Sequence, residues 1–132
     1  MDPIQNKNST VKIDENGVFV IEWKPNVTLE KEDFEVVVNN YDDLSQGALW
    51  KVLHIFPKNT TASSEARHFA ANREKPAGAE AFVIHGMIQR NLFRFYRKFR
   101  TVRYPMREFS KTPDAMKWLG EIEIVQPTEQ EA

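Results

Sequence analysis

Cysteine is absent from the chain, which removes disulfides, thiolate metal sites and cysteine nucleophiles together. Glycine is scarce: five in 132 residues leave too few for a phosphate-cradling loop, and neither a Walker loop nor G-x-G-x-x-G occurs. G-x-S-x-G and H-E-x-x-H are missing as well. No apolar run approaches the ~18 residues needed to cross a bilayer. The start, "MDPIQNKNST", lacks the basic-then-apolar pattern of a secretory signal. A cytoplasmic, non-transmembrane protein is therefore expected, and the sequons at Asn8, Asn26 and Asn59 carry no weight without export. The three histidines, His54, His68 and His85, show no metal-ligand spacing. Neither enzymatic activity nor a metal or cofactor is expected.

What is present is the composition of a folded domain, 41% hydrophobic and 28% charged. The length suits one domain, read here as residues 10–125, with residues 1–9 and the acidic tail 126–132 as flexible polar ends. Net charge is −1, which argues against a dedicated nucleic-acid binder. Its distribution is uneven: residues 1–46 hold four Lys against ten Asp/Glu, and residues 47–111 hold thirteen Lys/Arg against four Glu. Such polarity implies either contact between the two halves or a basic face turned to a partner.

Along the chain, "TVKID" and "VFVIEW" flank Asn16-Gly17, a strong hairpin signal, and Pro25 closes the second strand. Leu29, Phe34, Val37, Val38, Tyr41 and Leu44 follow helical spacing, with Thr28 the expected N-cap. "ALWKVLHIF" reads as a buried strand, "SEARHFAANRE" as a helix capped by Ser63 or Ser64, and "AEAFVIH" as another strand. "PMREF" suits a short last strand, with Pro105 at its first position or on an edge. "TPDAMKWLG" has a Thr cap, an early Pro and a closing Gly, and "EIEIV" extends that helix or adds an edge strand. The order β-β-α-β-α-β-α-β-α argues for an α/β domain whose helices cover a mixed sheet.

Residues 87–107, "MIQRNLFRFYRKFRTVRYPMR", hold seven basic side chains, five aromatics and no acid. On a wheel of about 100° per residue, Ile88, Leu92, Phe95 and Phe99 form one stripe and Arg90, Arg94 and Arg97 gather opposite, with Phe93 and Tyr96 on a shoulder beside Arg100. The apolar stripe is read as core. The arginines are left as a candidate partner surface of Arg90, Arg94, Arg97, Arg100 and Arg103. In open α/β sheets ligands favour the crevice beyond the strand carboxyl ends, where helix N-termini attract anions. Lys58, Thr60, Thr61, Ser63, Ser64 and His85 are the candidate anion or phosphorylation site on that ground; the alternative is that they are simply caps and turn residues.

The closing "FSKTPDAMKWL", residues 109–119, with this element order, resembles the STAS fold and, more closely, the SpoIIAA-like proteins of bacteria. Phe109, Ala115, Trp118 and Leu119 hold the places of that family's final strand and short helix. The resemblance implies one mixed sheet of four to five strands with helices packed on it. It also implies a role as a protein-interaction module, as in anti-sigma factor antagonists, or kinship with Sec14-type carriers of nonpolar molecules. The antagonists' regulatory Ser follows an Asp, whereas here Thr61-Ala62-Ser63-Ser64 has no Asp and no following Gly.

The first expectation is thus a non-enzymatic STAS-like regulatory or protein-interaction domain, binding another protein or itself as a homodimer. The alternative is a binding or carrier protein for a small nonpolar or anionic ligand, with Phe93, Phe95, Tyr96 and Phe99 bordering an apolar cleft. A weaker alternative is nucleic-acid association through the basic helix 87–100.

Overall fold

The structure, a computed structural model, describes residues 2–127, so most of the expected acidic tail lies outside the described residues. Among them, no helix is long and apolar enough to cross a membrane. The hairpin forms as the sequence requires: β2 (Ser9–Ile13) turns into β3 (Phe19–Trp23) through Gly17 at φ +78°. The Asp14 carboxylate fixes that turn by accepting from the backbone N–H of Asn16 and Val18, at 2.9 and 2.8 Å. The expected flexible N-terminus contains a strand, because β1 (Ile4–Gln5) pairs antiparallel with Thr10 and Val11.

The central strands are β5 (Lys51–Ile55) and β7 (Ala79–Val83), and β8 (Met106–Phe109) forms one edge. The sheet has six strands, in the order β1-β2-β3-β5-β7-β8, rather than four to five. The first three are antiparallel neighbours; β3, β5, β7 and β8 run parallel. The excess comes from two-residue β1, too short to show a period of two in the sequence. Two more two-residue strands, β4 (Thr28–Leu29) and β6 (Thr61–Ala62), pair with each other outside the main sheet.

Because Thr28 is spent in β4, it cannot cap the first helix. Helix α1 (Lys31–Ser45) starts two residues later than expected, with Glu30 as N-cap and the Asp33 carboxylate accepting from the Glu30 N–H at 2.8 Å. Helix α2 (Ser64–Ala71) is capped by Ser63, whose hydroxyl accepts from the Ala66 N–H at 3.1 Å. Helix α3 (Gly86–Phe99) joins β7 to β8, and α4 (Thr112–Glu121) follows β8. Lys111 rather than Thr112 is the N-cap of α4, Gly120 lies inside the helix, and "EIEIV" beyond Glu121 is neither helix nor strand.

Side-chain alternation splits the core into two layers. Val20, Leu53, Ala79, Ala81 and Val83 face α4, where Ala115 and Leu119 are fully buried against them. Alanines at 79 and 81 let that helix approach the sheet closely. The other face carries Phe19, Ile21, Trp23 and Val52, covered by Val37 and Tyr41 of α1, and Phe82 and Ile84, covered by Phe93 of α3. Helices α1, α2 and α3 therefore roof one face and α4 alone the other. Three helices leave more room than one, and that face holds the cavity.

The phase of α3 differs from the wheel by about one residue, or about 100°. Ile88 is 67% exposed and Phe99 52%, whereas Gln89, Phe93 and Arg100 are buried. The reason is polar satisfaction. The Gln89 amide donates to Pro57 O and Thr60 O at 2.6 and 3.0 Å, and its oxygen accepts from the His85 N–H at 2.7 Å. Hydropathy places Gln and Arg outside, but here each closes hydrogen bonds that the interior would otherwise leave open.

Candidate functional site

The cavity between sheet and roof has a volume of about 130 Å³. Its floor is Ile21, Val52, His54, Glu80 and Phe82; its roof comes from Phe34, Val37 and Tyr41 of α1 and Gln89, Leu92, Phe93 and Tyr96 of α3. Arg73, just past α2, and Thr60 and Thr61 complete the wall. That volume approaches the ~150 Å³ of an apolar cavity that stays dry and admits benzene.

One acid stands in the middle of this apolar floor. Glu80 is a buried residue of β7, whose five residues are all buried. An unpaired carboxylate there would be costly, and four side chains relieve it. His54 Nε2 lies 2.7 Å from Glu80 Oε2, from the neighbouring parallel strand. The Tyr96 hydroxyl donates to Oε1 at 2.6 Å, and the Tyr104 hydroxyl donates to the same oxygen. Behind them the Arg100 Nε–H donates to both phenol oxygens at 3.2 Å. The two tyrosines thus carry the attraction between Glu80 and Arg100 without direct contact. Arg100, only 2% exposed, also donates to Arg73 O and, at 2.8 Å, to Lys75 O, tying the segment after α2 to the end of α3.

The imidazole tautomer follows from its second partner. The Trp23 indole N–H points at His54 Nδ1 at 3.3 Å, and an indole nitrogen can only donate. Nδ1 therefore accepts, the proton sits on Nε2, and the ring donates to Glu80. Burial pushes the Glu80 carboxyl up, but the bonds from His54, Tyr104 and Tyr96 outweigh it and hold the group below its ordinary value. Burial and then the negative charge of Glu80 push Tyr96 and Tyr104 well up, so both phenols stay protonated donors.

The expected site residues are dispersed around this centre. Of the apolar set, Phe93 and Tyr96 line the cavity. Phe95 instead packs edge-on against His68 of α2, ring centroids 5.5 Å apart, and Phe99 is turned outward beside it. Of the hydroxyl bend, Thr60 is buried with its hydroxyl donating to Lys24 O at 2.6 Å, Thr61 belongs to β6, and Ser63 is occupied as a cap. Lys58 and Ser64 are exposed, and His85 Nδ1 lies 2.9 Å from Phe56 O. Arg90, Arg94 and Arg97 are exposed as the wheel requires. Arg103 donates to Arg97 O and Lys98 O, closing the helix end. Arg100 is withdrawn from the partner surface altogether, because it is the buried end of the Glu80 network. Glu80, Tyr104, Trp23 and Arg73 were not singled out in the sequence, and His54 was read there only as a histidine without metal-ligand spacing. An acid inside an otherwise apolar strand, "AEAFV", is the signal that marks the site.

Fold and geometry together define an α/β domain with a three-helix roof over a small apolar cavity, floored by a buried His–Glu pair. The chain belongs to the family described as a domain of unknown function (DUF7793), which matches residues 11–123. Its fold is SpoIIAA-like: it is similar, at a TM-score of 0.59 and 16% identity, to a solved uncharacterized protein of the DUF3478 family with a SpoIIAA-like fold from Shewanella loihica PV-4, over 88% of this chain and 98% of that one. No curated protein matches the chain.

Proposed function

We propose that the protein is a binding domain that encloses a small, mainly apolar molecule in this cavity and releases it unchanged. The carrying observation is a volume of about 130 Å³ between sheet and roof, walled by aromatic and aliphatic side chains from the sheet, α1 and α3. The polar network beneath it supports binding rather than turnover. Both oxygens of Glu80 and both ring nitrogens of His54 are engaged within the protein, which leaves neither poised as a base for a substrate. Gentle native mass spectrometry, followed by denaturation, is the test. A small adduct that dissociates on unfolding is expected; protein with no adduct that also fails to take up toluene would contradict the reading.

A second reading rests on the outer face of α3. Arg90, Arg94 and Arg97 are exposed there, and Met87, Ile88 and Phe99 are large apolar side chains open to water on the same helix. Positive charge beside apolar surface suits an acidic protein partner, in keeping with a regulatory interaction domain. In a homodimer, a second copy would bring its acidic N-terminal third, residues 1–46, to that face. Light scattering at high micromolar concentration tests the dimer, which a strictly monomeric species would exclude.

A further inference from the structure

The proposed cavity ligand can be specified further, on the premise that the cavity is a binding site. Nearly every polar group on its wall is already satisfied. Glu80 and His54 bond each other and their aromatic partners. The Gln89 amide is used at both ends, the Tyr41 hydroxyl accepts from the Trp50 N–H at 2.9 Å, and Thr60 and Thr61 bond Lys24 O and the Thr28 hydroxyl. Among the described residues, the Tyr41 O–H has no acceptor of its own, and one buried nitrogen has no partner at all. Arg73 Nε–H is buried and has no hydrogen-bond partner. Among the described residues the other such side-chain atom is Glu108 Oε2, on the edge strand β8 and not on the cavity wall.

Arg73 is also held in place. Its terminal nitrogen meets Asp42 Oδ1 at 2.7 Å, and its guanidinium lies 5.3 Å from the Tyr41 ring centroid. With Val38 it lines both the cavity and a wider surface groove, so it stands at the boundary between the two. Lys75 Nζ lies 3.7 Å from Asp42 Oδ2, and Lys31, Glu65 and Glu74 line the groove outside.

We infer that Arg73 anchors the polar end of the cavity ligand, and that the ligand is a small monocarboxylate with an aromatic or branched aliphatic body. The body fills the apolar space against Val52, Phe82 and Phe93, while one carboxylate oxygen accepts from Arg73 Nε–H at the mouth. A leftover buried donor is costly until an acceptor reaches it, and an anion makes the stronger bond. A cationic head group has no acceptor to offer and would leave Arg73 Nε–H unpartnered.

Three probes of similar size test this: benzoate, toluene and benzylamine, titrated at constant ionic strength into the full chain with the Arg73 Nε–H resonance followed by NMR. Benzoate is expected to bind roughly tenfold or more tightly than toluene, the worth of one charge-assisted hydrogen bond, and to move the Nε–H resonance downfield. Benzylamine is expected to bind most weakly. Arg73→Met should remove the benzoate advantage, so that benzoate binds no more tightly than toluene to the same variant. Should that variant fail to fold, the wild-type Nε–H shift decides alone. Toluene binding equal to benzoate, with no Nε–H shift, overturns the anchor but leaves the cavity reading intact. Failure of all three probes to bind overturns the cavity reading itself.

Discussion

His54 Nε2 lies 2.7 Å from Glu80 Oε2 across two parallel strands, and the indole of Trp23 fixes which way the proton points. That bond is the middle link of a chain running from β3 through β5 and β7 to the end of α3. Removing Glu80 therefore strands a buried arginine and two phenols. Glu80→Ala should cost ~3–5 kcal/mol, the usual loss when one partner of a buried charge pair is removed. Glu80→Gln keeps an acceptor for the phenols and should cost less, ~1–3 kcal/mol. Urea denaturation of both variants checks the order.

The same network gives the protein an acid-sensitive term. In the fold the Glu80 carboxyl lies below its ordinary value of 4.5, so the folded state holds the charged form more tightly than the unfolded state does. Its stabilisation is complete above about pH 4.5 and is lost as pH falls through the depressed folded value. Urea midpoints measured from pH 7 downward should therefore fall more steeply for the wild type than for Glu80→Gln. Parallel curves would show that Glu80 is not the titrating group.

On α3, Phe93→Ala should cost ~3–5 kcal/mol as a core truncation. Phe99→Ala, at a side chain half in water, should cost under about 1 kcal/mol. Replacing Arg90, Arg94 and Arg97 together by Gln should also stay within about 1 kcal/mol, since all three are exposed. Thermal or chemical melts of the three proteins separate these outcomes.

At the start of α2, Ser63→Ala should lose about 1 kcal/mol through the broken cap bond to the Ala66 N–H. Ser64→Ala, at an exposed first helical position, should change stability by less than about 0.5 kcal/mol. Equal losses at the two positions would place the cap elsewhere.

The layered α/β architecture was legible because its long elements carry clean periods: the hairpin around Gly17, the buried strand "AEAFV", and α4 with its early proline. The two-residue strands were not legible, since two residues cannot show alternation. The α3 phase slipped because two polar residues, Gln89 and Arg100, are buried for the hydrogen bonds they close, and hydropathy scores them as surface. The cavity was invisible for a related reason. The polar network at its floor comes from β3, β5, β7, α3 and the loop before β8, and only the register Val52↔Glu80 and His54↔Phe82 brings His54 alongside Glu80. Glu80, an acid between Ala79 and Ala81, is the one signal the sequence offers, and strand periodicity passes over it.

The most direct test is a toluene titration followed by methyl NMR. Val37, Val52, Ile84 and Leu92 line the cavity, whereas Val20, Leu53 and Val83 face α4 on the other side of the sheet. Saturable shifts are expected in the first set, with the second set nearly still. No saturable shift, or equal shifts on both faces of the sheet, would contradict a binding cavity beneath α1 and α3.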